Sequence, residues 1–141
     1  MIEIESRELA DIPVLHAYPV GQKDTPLPCV IFYHGFTSSS LVYSYFAVAL
    51  AQAGLRVIMP DAPDHGSRFS GDAARRLNQF WQILLQSMQE FTTLRAAIAE
   101  EKWLLDERLA VGGASMGAMT ALGITARHPT VKCTASMMGS G

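Results

Sequence analysis

Apolar and polar positions fall into blocks along this 141-residue chain, and each block carries the period of one kind of element. From about Glu3 to Tyr18 the pattern fits one or two extended strands, ending in a turn-rich segment from Pro19 to Pro28 with a glycine, an aspartate and three prolines. A first hairpin is expected there, with His16 as a surface residue on it. Cys29, Val30, Ile31, Phe32 and Tyr33 form a continuous apolar run, as in a strand buried on both faces of a parallel sheet, and His34 with Gly35 ends it. Ser38 to Ser40 can cap a helix over about Leu41 to Ala53, where Val42, Phe46, Ala49, Leu50 and Ala53 recur at helical spacing. Gly54 is its natural stop. Arg56 to Met59 reads as a second short buried strand, and Pro60 with Asp61 opens a loop that runs through Gly66.

From about Asp72 to Leu105 the composition is helical, divided into two helices, with apolar residues at Leu77, Phe80, Trp81, Leu84, Leu85, Met88, Phe91 and Leu94. Leu109 to Gly112 is expected as a third buried strand, Met116 to Arg127 as a helix, and Val131 to Met138 as the start of a fourth strand. Alternating strand and helix with short turns predicts the α/β class and a mostly parallel, doubly wound sheet, whose ligand site lies at the carboxyl ends of its strands. Ser115, His34 to Phe36 and Asp61 to Ser67 all fall at that end.

Composition narrows the function classes. The chain is 49% hydrophobic and 17% charged, enough apolar material for one core. A formal net charge of -2 with no basic block argues against nucleic acid or an anionic membrane as partner. No metal-ligand spacing occurs. Cys29 and Cys133 sit in runs that read as buried strands, which favours free packed thiols, and the methionines, including Met116, Met137 and Met138, read as core filler. Met1 to Leu9 carries three glutamates and no apolar core, so no ordinary signal peptide is expected and the cytoplasm is the default location.

Gly113, Ala114, Ser115, Met116 and Gly117 form a GxSxG set between an apolar run and an alanine-rich helical stretch. In a nucleophile elbow a strand turns sharply into a helix, and the serine at the apex takes a strained conformation that lifts its hydroxyl clear of the sheet. Gly113 and Gly117 meet the steric need of that turn. A serine hydroxyl is a poor nucleophile at neutral pH and needs a base, together with donors for the oxyanion that forms. The Met116 N–H, at the start of the helix, is one candidate donor. The Phe36 N–H is the other, since Gly35 lets that loop approach closely. A nucleotide-binding reading of the glycines fails, because Ala114 stands where GxGxxG, counted from Gly112, needs its second glycine.

The HG turn (His34, Gly35), the Asp61 to Ser67 loop with His65 and Gly66, and the GxSxG elbow come in an order and spacing that resembles the α/β-hydrolase superfamily over most of the chain. Within it the chain is similar to small carboxylesterases related to the dienelactone-hydrolase and prolyl-oligopeptidase branches. The resemblance implies Ser115 as catalytic nucleophile, backbone oxyanion donors at Phe36 and Met116, and no cofactor. It also implies that His34 and His65 shape loops and are not the general base. Phe69, Phe80 and Trp81 follow the region where such relatives build the pocket roof, so contact with an acyl chain and plain core packing are both open for them. One departure is Asp64, where many relatives have glycine.

The larger departure is that the 24 residues after Gly117 contain no Asp or Glu and a single histidine, His128, at the far end of the predicted helix. The superfamily's acid and base come on later loops. The expectation is therefore the amino-terminal part, residues 1–141, of one α/β-hydrolase domain, incomplete at its carboxyl end and nearly inert alone. The substrate would be a small-molecule ester or thioester, cleaved through an acyl-enzyme. A non-catalytic hydrolase-fold binding protein is the alternative. Oligomeric state is left open.

Overall fold

The apolar run that follows Pro28 divides by parity. Cys29, Ile31 and Tyr33 pack into one cluster, whereas Val30 and Phe32 pack into another on the opposite face of the sheet. A computed structural model describes residues 1–137 of the chain, with side chains through Val131. The strands are β1 (Ile2–Leu9), β2 (Ile12–Pro19), β3 (Leu27–Tyr33), β4 (Arg56–Pro60), β5 (Leu104–Ala114) and β6 (Lys132–Met137). The helices are α1 (Ser44–Gln52), α2 (Ala73–Leu77), α3 (Phe80–Glu100) and α4 (Met116–Arg127). The strands form one sheet in the order β1-β2-β4-β3-β5-β6. β1 with β2 and β2 with β4 are antiparallel, while β4-β3-β5-β6 is parallel throughout.

The doubly wound arrangement follows from that parity. On one face, Phe91, Leu94 and Ile98 of α3 and Ala121 and Ile124 of α4 bury against Cys29, Ile31, Ile58 and Val111. On the other, Ala47 and Ala51 of α1 pack on Val30, Phe32, Val57 and Met59. Cys29 is a free thiol whose pKa burial pushes up to about 12. The side chains of Cys133 and Met137, and all of Met138, lie outside the described residues. Among the described residues no helix is long and apolar enough to cross a membrane.

The expected first hairpin forms, with Ala10 and Asp11 in left-handed conformation at its tip. Three other expectations change. The first crossover helix starts at Ser44, not Leu41, and its cap position, Tyr43, makes no side-chain cap bond. The Ser40 amide is taken instead by the Asp61 carboxylate at 3.0 Å, and the serine run becomes a turn that leaves Val42 exposed. Leu104 and Leu105 belong to β5 rather than to the preceding helix. Leu104 pairs with Leu27, and Asp106 and Glu107, both at positive φ, loop out before Leu109 pairs with Cys29. Trp81 and Leu85 share a flank of α3 turned away from its stripe of Ile83, Leu84, Ser87, Phe91, Leu94 and Ile98, so both are exposed.

His16 is the clearest correction: it is fully buried, not on the surface. β2 is an inner strand, so a polar side chain there must be paired. His16 Nδ1–H donates to Glu5 Oε2 at 2.7 Å, and its Nε2 accepts from Arg56 Nη1 at 2.8 Å. The ring stacks on Trp103 with centroids 4.3 Å apart. Arg56, itself buried, also donates to the carbonyls of Thr25 (2.6 Å), Trp103 (3.4 Å) and Gln22 (3.4 Å), so it ties the entries of β3, β4 and β5 together. Burial, more than the opposing pull of Glu5, lowers the His16 pKa to about 4.

Two outcomes are expected. Arg56→Met removes every one of these donors while keeping apolar volume, and should cost on the order of 3 kcal/mol in a urea unfolding experiment. Because folded His16 resists protonation down to about pH 4 whereas an unfolded histidine accepts a proton near 6.5, stability should be full above pH 6.5 and decline as the pH falls toward 4. Unfolding free energies measured between pH 7 and 4.5 should show this slope, reduced in His16→Gln.

Candidate active site

Ser115 joins β5 to α4 with φ 57° and ψ −118°, a conformation that costs a non-glycine residue roughly 1–3 kcal/mol and persists only where the surroundings impose it. The surroundings are two glycines. A Cβ on Gly117 would fall on the Tyr33 carbonyl and lie 2.7 Å from the His34 carbonyl oxygen. A Cβ on Gly113 would fall on the Gly117 carbonyl and lie 2.8 Å from the Ala118 nitrogen. The start of α4 is thus pressed against the carboxyl end of β3, and the turn from β5 into α4 has no slack.

Serine at a helix N-cap ordinarily spends its hydroxyl on a helix amide. Here the Ala118 and Met119 amides turn back to the Ser115 carbonyl at 2.9 and 3.2 Å, and the hydroxyl makes no cap bond. It has no hydrogen-bond partner among the described residues. Ser115 is half-buried at the carboxyl edge of the parallel strands, as the sequence predicts. The Met116 amide opens α4 beside it, where free N–H groups favour negative charge.

The loop after β3 is brought to the same edge. Gly35 lies against the elbow, since a Cβ there would sit 3.4 Å from both Ser115 Cβ and the Ala114 carbonyl oxygen. The Phe36 amide makes no hydrogen bond among the described residues. Two imidazoles hold this loop to the one after β4. His34 donates from Nδ1 to the Gly35 carbonyl (2.8 Å) and accepts the Ala62 amide at Nε2 (3.0 Å). His65 donates from Nδ1 to the Pro63 carbonyl (2.9 Å) and accepts the Thr37 amide at Nε2 (2.8 Å).

Each acceptor nitrogen requires a neutral ring, and burial provides it. Desolvation lowers the His34 pKa to about 4, with the neighbouring His65 ring adding to the effect, and it lowers that of His65 as well. With both nitrogens of both rings occupied, neither histidine has a lone pair for a serine proton. His128 is farther still, about 20 Å along α4, where its ring packs on Phe91.

Asp61 anchors the second loop. Its carboxylate accepts the Ser40 amide (3.0 Å), the Ser67 amide (3.3 Å) and the Ser67 hydroxyl (3.0 Å). Burial alone would raise its pKa, but the bonds from Ser40 and Ser67 outweigh that and lower it. Arg68 clamps the loop to α3, donating to the Asp61 carbonyl and to both carboxylate oxygens of Glu90 at 2.9 and 2.8 Å. Asp64, with φ 58°, accepts the Ser70 amide at 2.7 Å. A glycine-favouring conformation is therefore retained where the sequence departs from the common glycine.

Beside the Phe36 and Met116 amides the wall is apolar, with Ala62, Ile83, Leu84 and Met116 packed together and Phe36, Phe80 and Met88 against them. Phe80 meets Phe36 edge-on at 5.0 Å, Trp81 meets Phe80 edge-on, and Phe69 is covered by the Arg76 guanidinium at 4.2 Å. Among the described residues no three or more His, Cys, Asp or Glu side chains converge as a metal set. Sequence reasoning did not single out Tyr43, whose hydroxyl faces Gly35, because nothing in its local pattern separates it from Tyr45.

Known proteins resemble this chain in sequence and in fold. Over all 141 residues the chain is 98% identical to esterase YjfP of Escherichia coli (strain K12), of which it spans 57%. Among solved structures, a cold-adapted esterase from an Arctic intertidal metagenomic library superposes with a TM-score of 0.69 at 23% identity, covering 92% of this chain and 57% of that one. A dienelactone hydrolase from Anabaena variabilis gives 0.68 at 22% identity, covering 96% and 61%. These two show the fold. The family described as serine aminopeptidase, S33, matches residues 24–140, from the loop before β3 through the elbow and past the end of β6, and with that match the chain belongs to this family of α/β-hydrolases.

Proposed function

We propose that residues 1–141 are the amino-terminal part of one α/β-hydrolase domain that cleaves small carboxylic esters through an acyl-enzyme on Ser115. The single observation that carries the reading is the strained Ser115 backbone with its hydroxyl withheld from the helix it caps. The name of the 98% identical relative, an esterase, supports the ester class.

In this mechanism Ser115 Oγ attacks the acyl carbonyl carbon. The carbonyl oxygen becomes an anion held by the Phe36 and Met116 amides, and the bond to the alcohol oxygen breaks as that oxygen takes up a proton. Water then attacks the acyl-serine, releasing the acid and restoring the hydroxyl. A base must take the serine proton, and His34, His65 and His128 are unsuited by occupancy or distance. The base and its carboxylate partner are therefore assigned to residues beyond 141. The apolar wall of Met116, Phe36 and Phe80 lowers the local dielectric around the amides, which strengthens their hold on the anion.

A fluorophosphonate should label the full-length protein at Ser115, and Ser115→Ala should abolish labelling and reduce hydrolysis of an activated ester roughly 10⁴- to 10⁶-fold. Absence of an adduct at Ser115 overturns the assignment. Residues 1–141 alone should give no stoichiometric burst with the same ester, and a burst that disappears in Ser115→Ala would show that the base lies within this chain.

A further inference from the structure

Tyr43 precedes α1, eight residues beyond the HG glycine, and reaches back over it. A Cβ built on Gly35 would stand 3.0 Å from Tyr43 Oη and 3.4 Å from Ser115 Cβ, so the phenol and the serine face the same point from two sides. The ring is fixed by aromatic neighbours, with centroids 6.0 Å from Phe46, 6.1 Å from Tyr45 and 6.4 Å from Phe32. The backbone is fixed too, because the Tyr43 amide donates to the Ser40 carbonyl and Ser40 is in turn held by Asp61. Yet its hydroxyl has no hydrogen-bond partner among the described residues. A half-buried phenol, locked by packing and aimed at a glycine beside the elbow, is a donor with no acceptor among the described residues.

We propose that Tyr43 is a catalytic residue whose O–H donates a hydrogen bond to the oxygen that becomes negative when Ser115 adds to the ester. It supplements the Phe36 and Met116 amides from the Gly35 side. The inference rests on Ser115 being the nucleophile. Gly35 gains a second reason to lack a side chain: a methyl group there would stand between the phenol and the bound ester as well as crowd the elbow. No proton moves through Tyr43 in this role, so the hydroxyl is unchanged at the end of the cycle.

The test is Tyr43→Phe in the full-length protein, which keeps the ring and removes only the donor. For an activated ester kcat should fall by roughly 10²-fold with KM little changed. A boronic acid that forms a tetrahedral adduct on Ser115 should bind more weakly by a similar factor, while the carboxylic acid product binds as before and the thermal midpoint stays within about a degree. Wild-type kcat and boronate affinity in Tyr43→Phe, with Ser115→Ala inactive, overturns the role of Tyr43 and leaves the nucleophile standing. A loss of kcat that follows a lowered thermal midpoint and leaves boronate affinity intact also overturns it, as a packing effect. An active Ser115→Ala removes both assignments.

Discussion

The constraint on which the site depends is the contact between the Gly117 backbone and the Tyr33 carbonyl. It brings the first turn of α4 against the end of β3 with no room for a methyl group. That approach sets where the Met116 amide points, keeps Ser115 in its left-handed conformation, and fixes the distance from the elbow to the loop that leaves β3. Each consequence is geometric, so none of them depends on solvent or on charge. The strain at Ser115 is offset by the packing of α3 and α4 on the sheet, where Phe91, Leu94, Ala121 and Ile124 are almost wholly buried.

Polar bonding completes what packing begins. His34 and His65 lie 5.2 Å apart, and each accepts an amide from the other's loop. The loops after β3 and β4 are thereby joined, and Asp61 adds a third tie by accepting from Ser40 and Ser67. Loops held in this way can present an unpaired amide at Phe36 without collapsing onto it. The arrangement also accounts for two histidines beside a serine that cannot act as its base.

What was legible in the sequence was whatever a local pattern encodes. The continuous apolar run from Cys29 to Tyr33, the small residues around Ser115 and the helical spacing after Met116 each state their own geometry, and the alternation of strand and helix states the doubly wound class. What was not legible depends on partners far along the chain. His16 reads as a polar residue on an amphipathic hairpin, and only Arg56, forty residues on, with Glu5 on the adjoining strand makes its burial tolerable. The late start of α1 arises from a carboxylate at position 61 competing for the Ser40 amide. Leu104 and Leu105 continue a helical composition, and only pairing with β3 turns them into strand. Tyr43 is placed by the same turn that delays α1, so its position depends on the same distant carboxylate.

Cys29 is the third residue of β3, the strand that borders both β4 and β5, and its sulfur is closed off from solvent with an acidity far too weak to ionise near neutrality. A thiolate-seeking reagent therefore has no route to it while the strands stay zipped. Opening of the sheet's centre exposes the sulfur and restores its ordinary reactivity in one event, so the molecule carries an internal chemical clock for the integrity of the scaffold beneath its elbow.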